Sequence, residues 1–228
     1  MKARIKFAKK GAMKFIGHLD IMRYFQKAIR RAGIPIAYSE GYSPHMIMSF
    51  AQPLGVGVTS DSEYFDIELT REITSAEAVK CLNAVMAEGM EIISYRRIPD
   101  DKANRAMSLV AAADYTVTFR ENHEPLGNWQ ERIADFYAQN NIIVWKKTKK
   151  SEREVDIKPL IQELYVIEQK KVFMRVIAGS AENLKPDLVM SAFVSFLGGE
   201  LAPFSLMIHR NELYANEMIS LEALGEEI

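Results

Sequence analysis

The chain has 228 residues, 48% of them hydrophobic, and its 29 Lys and Arg face 30 Asp and Glu for a formal net charge of -1. That length suffices for one large core or two small ones, and two domains are expected. The near-neutral charge excludes a uniformly basic nucleic-acid coat, so any contact with a polyanion must come from a local patch. The single cysteine, Cys81, excludes an internal disulfide and an iron–sulfur or zinc site built on several thiolates of this chain. The start, MKARIKFAKKG, lacks the apolar run of a secretory signal, and no stretch approaches the about 20 apolar residues of a membrane span. A cytoplasmic chain with no membrane contact is the expectation.

Lys2 to Ala8 alternates as a strand does: Ala3, Ile5 and Phe7 point one way, Lys2, Arg4 and Lys6 the other. Lys9, Lys10 and Lys14 follow. Leu19–Ala32, closed by Gly33, is amphipathic at about 100° per residue. Ile21, Met22, Phe25, Ala28, Ile29 and Ala32 share one side, and Arg23, Lys27, Arg30 and Arg31 share the other, with Asp20 as the only nearby acid. Exposed helices usually mix Glu with Lys, so a one-sign face points to phosphate as well as to a merely solvated surface. The predicted phosphate or RNA contacts are Arg4, Lys6, Lys14, Arg23, Lys27, Arg30 and Arg31.

Short strands are expected around Ile36–Tyr38 and Met46–Phe50, with SEGYSPHMIMSFAQPLGVG forming a long Gly- and Pro-rich connection between Tyr38 and Gly57. A strand at Tyr64–Leu69, a helix at Ser75–Met86 introduced by Thr74 and Glu77 with capping-box spacing, and a strand at Glu91–Arg97 complete a β-α-β-β-α-β order. After a helix at Lys102–Ala112 the order recurs: strand Tyr115–Arg120, helix Trp129–Ala138, strand Ile142–Lys147, a hairpin from Val155 to Ala178, helix Asp187–Leu197 and strand Phe204–Arg210. Lys146 to Arg153 is a charged loop or hairpin tip. The fold class is therefore α+β with two tandem ferredoxin-like (βαββαβ) units. They span residues 1–100 and 115–212, with a connecting helix in 101–114 and an acidic tail over 213–228.

His18 and Asp20 stand at the entrance of the basic helix, where an Asp can cap and a His can contact phosphate or act as a general acid or base. A loop site of Asp20, Glu40, Gly41, Tyr42, Ser43 and His45 is expected beside His18, because Gly33, Pro35 and Gly41 let the chain reverse there. Two histidines without placed carboxylates or thiolates do not make a metal site, and none is expected. No P-loop, strand-linked Gly-x-Gly-x-x-Gly, nucleophile elbow or Cys-x-x-x-Cys-x-x-Cys run is present. If chemistry occurs, another component supplies its hardest part.

The run from Gly17 to Leu69 resembles a family of bacterial proteins described as radical-SAM-associated or radical-SAM-linked. The matching pieces are His18-Leu19-Asp20, Arg23, Ala28, Arg30-Arg31-Ala32-Gly33, Pro35, Ser39-Glu40-Gly41, Ser43-Pro44-His45, Pro53-Leu54-Gly55 and Glu63-Tyr64. A looser second element is KKTKKSEREVDIKPLI, Lys146 to Ile161, and Gly17 stands where relatives often carry Ser. The resemblance implies a radical S-adenosylmethionine enzyme as partner, with S-adenosylmethionine and an iron–sulfur cluster in that partner and no cofactor in this chain. The element order is also similar to that of CRISPR repeat-processing endoribonucleases, a likeness of architecture that confers no function. The leading expectation is an RNA-binding accessory protein that presents RNA to such an enzyme. The alternatives are a metal-independent endoribonuclease using His18 and a protein–protein adaptor without RNA contact.

Overall fold

The computed structural model describes residues 1–101, 104–147 and 152–228. Ten strands and five α-helical segments follow in the order β1 (Lys2–Lys9), α1 (His18–Arg31), β2 (Met48–Phe50), β3 (Thr59–Glu68), α2 (Ser75–Asn83), β4 (Met90–Ile98), α3 (Ala106–Leu109), β5 (Ala112–Phe119), α4 (Trp129–Tyr137), β6 (Ile143–Lys147), β7 (Glu152–Asp156), β8 (Ile161–Glu168), β9 (Lys171–Ile177), α5 (Pro186–Phe196) and β10 (Leu206–Tyr214). Eight strands form one sheet in the order β4-β1-β3-β10-β5-β9-β8, with β2 paired to β3. All its pairings are antiparallel except β3–β10, a parallel seam of two residue pairs, His209 with Thr59 and Arg210 with Ser60. The seam joins the two halves, and each half carries its own hydrophobic core.

The alternation of β1 buries Ala3, Ile5 and Phe7 with Ile21, Phe25 and Ile29 of α1, and the Phe25 ring lies 4.7 Å from Phe7 and 4.6 Å from Phe65. At α2, the Thr74 hydroxyl accepts from Glu77 N–H at 3.2 Å, as the capping-box spacing predicts. The second half departs from expectation at two places. The strand at 143–147 does not enter the main sheet but pairs with β7 as a separate two-stranded ribbon. A helix over 102–112 is replaced by the single turn of α3, since Ala112 already begins β5; Lys102 and Ala103 of that expected helix lie outside the described residues, as do residues 148–151 of the expected charged tip. Ile36 and Tyr38 make only isolated bridges, to Leu69 and Met46.

The largest correction concerns the basic side of β1. Arg4 and Lys6 do point away from the α1 core, but that side is not solvent. Arg4 is 1% exposed. Its guanidinium donates twice to Asp66, at 2.8 and 3.1 Å, and also to the carbonyls of Leu221 at 3.1 Å and Asn104 at 2.7 Å. The second Asp66 oxygen accepts from Ala106 N–H at 2.7 Å. Lys6 is clamped between Glu212 at 2.8 Å and Glu222 at 3.0 Å. The acidic end is therefore no free tail: Leu213 and Tyr214 finish β10, and the rest packs back on the first half. Arg97 and Glu226 exchange backbone hydrogen bonds of 2.8 and 2.9 Å, and Ile228 and Ser75 meet at 2.7 and 3.1 Å. Gly225 permits this approach, because a Cβ there would fall 2.6 Å from the Arg96 Cβ.

Removing one partner of a buried pair strands the other charge. Asp66→Ala is expected to lower unfolding free energy by about 3–5 kcal/mol in chemical denaturation, with a decrease below about 1 kcal/mol contradicting the buried-pair assignment. The Lys6 cluster contributes to the pH dependence at both ends. Burial alone would raise the Glu222 carboxyl, but hydrogen bonding and charge from Lys6 outweigh it and hold the group below its ordinary 4.5. Burial alone would lower the Lys6 ammonium, but Glu212 and Glu222 lift it above 10.5. The Glu222 contribution is present above pH 4.5 and lost as pH falls through the depressed value; that of Lys6 is present below 10.5 and lost as pH rises through the raised value. Denaturation midpoints across pH are expected to show a plateau between these limits and an acid fall that Glu222→Gln flattens; an unchanged acid limb in the variant refutes the assignment.

Candidate functional site

Helix α1 is held by one face and ended by its own backbone. Ile21, Phe25, Ala28 and Ile29 are buried. Beyond the last turn, Gly33 N–H donates to Arg30 O and Ile34 N–H to Ile29 O, each at 3.2 Å, and Gly33 has φ +68°. This glycine-dependent end satisfies carbonyls of the final turn and seats Ile34 in the core. The opposite face is exposed along Arg23, Lys27, Arg30 and Arg31. Arg23 is engaged with Asp20 at 3.2 Å, and Arg31 donates to Val85 O at 3.1 Å. Lys27 and Arg30 have no side-chain partner among the described residues, so their charges face solvent. Arg30 and Arg31 also oppose the negative end of the helix dipole.

Asp20 does not cap α1. The N-cap is Gly17, which makes no side-chain cap bond, and Asp20 sits inside the first turn facing Arg23. His18 opens the helix half-buried, edge-on to Phe50 at 5.3 Å. The segment from Ser39 to His45 closes on itself. Ser39 Oγ lies 2.8 Å from His45 Nδ1 and accepts His45 N–H at 3.1 Å, while Ser39 N–H donates to His45 O at 2.9 Å. Glu40, Gly41, Tyr42, Ser43 and His45 are exposed on this turn, and Gly41 at φ +104° makes its reversal possible. Among the described residues no hydrogen bond, ion pair or ring contact joins His18 or Asp20 to it. None of these contacts therefore ties the two parts of the expected loop site together.

Of the seven predicted phosphate contacts, the structure leaves the four on α1 exposed and Lys14 half-buried, its ammonium 5.1 Å from the centre of the Phe15 ring. Arg4 and Lys6 are consumed internally. The sequence reading missed the seam between β3 and β10, where Thr59 Oγ1 meets His209 Nδ1 at 2.8 Å, His209 Nε2 meets Asp61 at 3.0 Å, and Asp61 also takes Lys10 at 2.7 Å. Burial would raise the Asp61 carboxyl, yet hydrogen bonds from Lys10 and His209 hold it below the usual carboxylate range. Beside this chain, buried Arg210 pairs with Glu63 and donates to Gln52 O at 2.8 Å. A hydroxyl, an imidazole and a carboxylate in series have the order of a nucleophile, base and orienter. The adjacent cavity, however, is lined by Val58 and Ile208 and not by Thr59, Asp61 or His209, so we assign the chain to holding a seam that has only two backbone pairs. No local signal marks it, because Asp61 and His209 are 148 positions apart.

Among the described residues no group of three or more His, Cys, Asp or Glu is placed to hold a metal, and no helix is long and apolar enough to cross a membrane. No curated protein matches the chain. Solved structures similar to it include one titled "Crystal Structure of a Cbf5-Nop10-Gar1 Complex", with TM-score 0.47 and 12% identity over 94% of this chain and 50% of that one. Another is titled "Structure of H/ACA RNP bound to a substrate RNA containing 2'-deoxyuridine", with TM-score 0.45 and 12% identity over 94% of this chain and 49% of that one. The chain thus spans about half the length of these proteins. A family model described as "Uncharacterized protein conserved in bacteria (DUF2344)" matches residues 2–186. Since that match runs through both halves and most of the sequence, the protein belongs to this bacterial family.

Proposed function

We propose that the chain is an RNA-binding accessory protein that presents a structured RNA to a radical S-adenosylmethionine enzyme. The observation that carries the RNA part is the outward face of α1, where Lys27 and Arg30 remain free of internal partners while the other cations of the same region, Arg4 and Lys6, are neutralised. Phosphate binding releases counterions from the nucleic acid, and a rigid helix face presents cations at little ordering cost. The enzyme partner rests on the resemblance carried by the Gly17–Leu69 segment. On this reading, S-adenosylmethionine and an iron–sulfur cluster belong to the partner.

The same reading takes the two halves as tandem ferredoxin-like units. The first half has strand order β4-β1-β3-β2 and the second β10-β5-β9-β8. Renumbered within each half, both are 4-1-3-2 and antiparallel, the order that a split β-α-β-β-α-β unit requires. The β6–β7 ribbon is then an insertion after the first helix of the second unit.

Two measurements test the proposal. In titrations of a labelled RNA stem–loop between 50 and 200 mM salt, Lys27→Ala with Arg30→Ala is expected to weaken binding and to reduce the salt slope by about 0.7 to 0.9 for each phosphate that is no longer neutralised. Unchanged affinity and slope in the folded double variant remove α1 as the RNA surface. Purification from a bacterium that encodes the chain, with both protein and RNA identified, is expected to recover a radical S-adenosylmethionine enzyme together with RNA. Recovery of an acidic protein without RNA supports the adaptor instead, and metal-free cleavage of RNA by the chain alone, abolished in His18→Ala, supports the ribonuclease.

A further inference from the structure

We infer that the cleft between the two halves is a binding site for a single-stranded RNA segment, continuous with the α1 surface and resting on the RNA-binding reading above. The cleft has a volume of about 780 Å³ and is built from both halves. The turn at Gly11–Phe15 supplies Lys14 and Phe15, β6 supplies Trp145, the residue after β5 is Arg120, the N-cap of α5 is Lys185, and the turn entering β10 supplies Phe204.

Three features make this more than a gap between units. Its aromatic residues are turned outward: Phe15 is 64% exposed, Trp145 67% and Phe204 91%, although burial is the ordinary fate of such side chains. Phe204 also holds a left-handed backbone, φ +59°, which is uncommon for a bulky residue and is tolerated only where the surroundings dictate it. Here Ser205 N–H closes on Ala202 O at 3.3 Å and Arg120 N–H on Ser205 O at 2.8 Å, so the turn is fixed while the ring it displays touches little. Next to it the Ser205 side chain, 1% exposed, lines the cleft with its hydroxyl unpartnered.

Charge selects the occupant. Lys14, Arg120 and Lys185 line the cleft against one acid, Asp187, and none of the three cations forms an ion pair among the described residues. Outward aromatic faces interleaved with cations match unstacked bases strung on phosphates. A duplex does not fit this description, because its base faces are already stacked. Lys14 and Phe15 lie a few residues before α1 in the chain. At about 1.5 Å per residue, Lys27 and Arg30 stand about 14–18 Å along the helix from its start, a span that a few nucleotides of single strand leaving the helix face can cover.

The protein carries its own reporter, since its two tryptophans are Trp145 and Trp129 and the latter is 3% exposed. Titration of the full chain with a mixed-sequence single-stranded RNA octamer is expected to quench emission, and the quench is expected to vanish in Trp145→Phe. Phe204→Ala is expected to weaken octamer binding by about five- to hundred-fold, with the salt slope unchanged and Phe204→Tyr restoring affinity, because stacking rather than charge is removed. Lys27→Ala with Arg30→Ala is expected to do the reverse, lowering the salt slope while leaving the full quench reachable at higher RNA concentration. Octamer binding without quenching and unaffected by Phe204→Ala overturns the cleft and leaves the α1 reading standing. A chain that binds neither the octamer nor a stem–loop overturns both.

Discussion

The bidentate pair of Arg4 with Asp66 is the interaction on which the arrangement depends, since it gathers four separate pieces of chain around one buried charge. Arg4 belongs to β1 and Asp66 to β3, and the same groups bind Asn104 and Ala106 at the approach to α3 and Leu221 in the C-terminal turn. A guanidinium this buried must be paired in full. The Arg4 guanidinium makes four hydrogen bonds, and the one to Leu221 O forms only when the C-terminal segment is docked. The docked segment also delivers Glu222 to Lys6, and Glu212 joins it from β10. Closing the second half onto the first thereby covers one face of the first half's sheet and removes two cations from the surface.

That internal neutralisation sharpens what the exterior can do. With a net charge near zero, attraction of a polyanion must be local, and α1 and the cleft between the halves each present several outward cations. The seam at β3 and β10 supplies the frame. It has two parallel pairs of its own, reinforced by the Thr59–His209–Asp61–Lys10 chain and by Arg210 with Glu63. Side-chain hydrogen bonding thus carries a junction that backbone pairing alone leaves short, and the cleft opens beside it, at Val58 and Ile208.

Much of the first half was legible in the sequence for a physical reason: its signals are local. The wheel of α1 placed Ile21, Phe25 and Ile29 inward and Arg23, Lys27 and Arg30 outward, and Thr74 with Glu77 placed the start of α2. The alternation of β1 correctly separated Ala3, Ile5 and Phe7 from Arg4 and Lys6, yet alternation says only that two faces differ. It does not say what covers the second face. Asp66, Glu212 and Glu222 lie 62, 206 and 216 positions from their partners, and no window along the chain reveals them. Trp145 shows the same limit, because its strand has good β character but joins a separate ribbon, leaving the indole exposed at the cleft. His18 and the Ser39–His45 turn were linked through turn-forming residues alone; such residues permit a reversal without specifying what it meets.

The central claim is that RNA lies along α1 and enters the cleft. Ultraviolet crosslinking of the full chain to a stem–loop with a single-stranded extension, followed by identification of the modified peptides, tests it most directly. The account predicts nucleotide adducts on the segments holding Phe15, Trp145 and Phe204, together with protection of the Arg23–Arg31 stretch from trypsin. Adducts confined to the far edge of the sheet, at Tyr165 and Ile167 of β8, with α1 cut as readily as in the free protein, would contradict it.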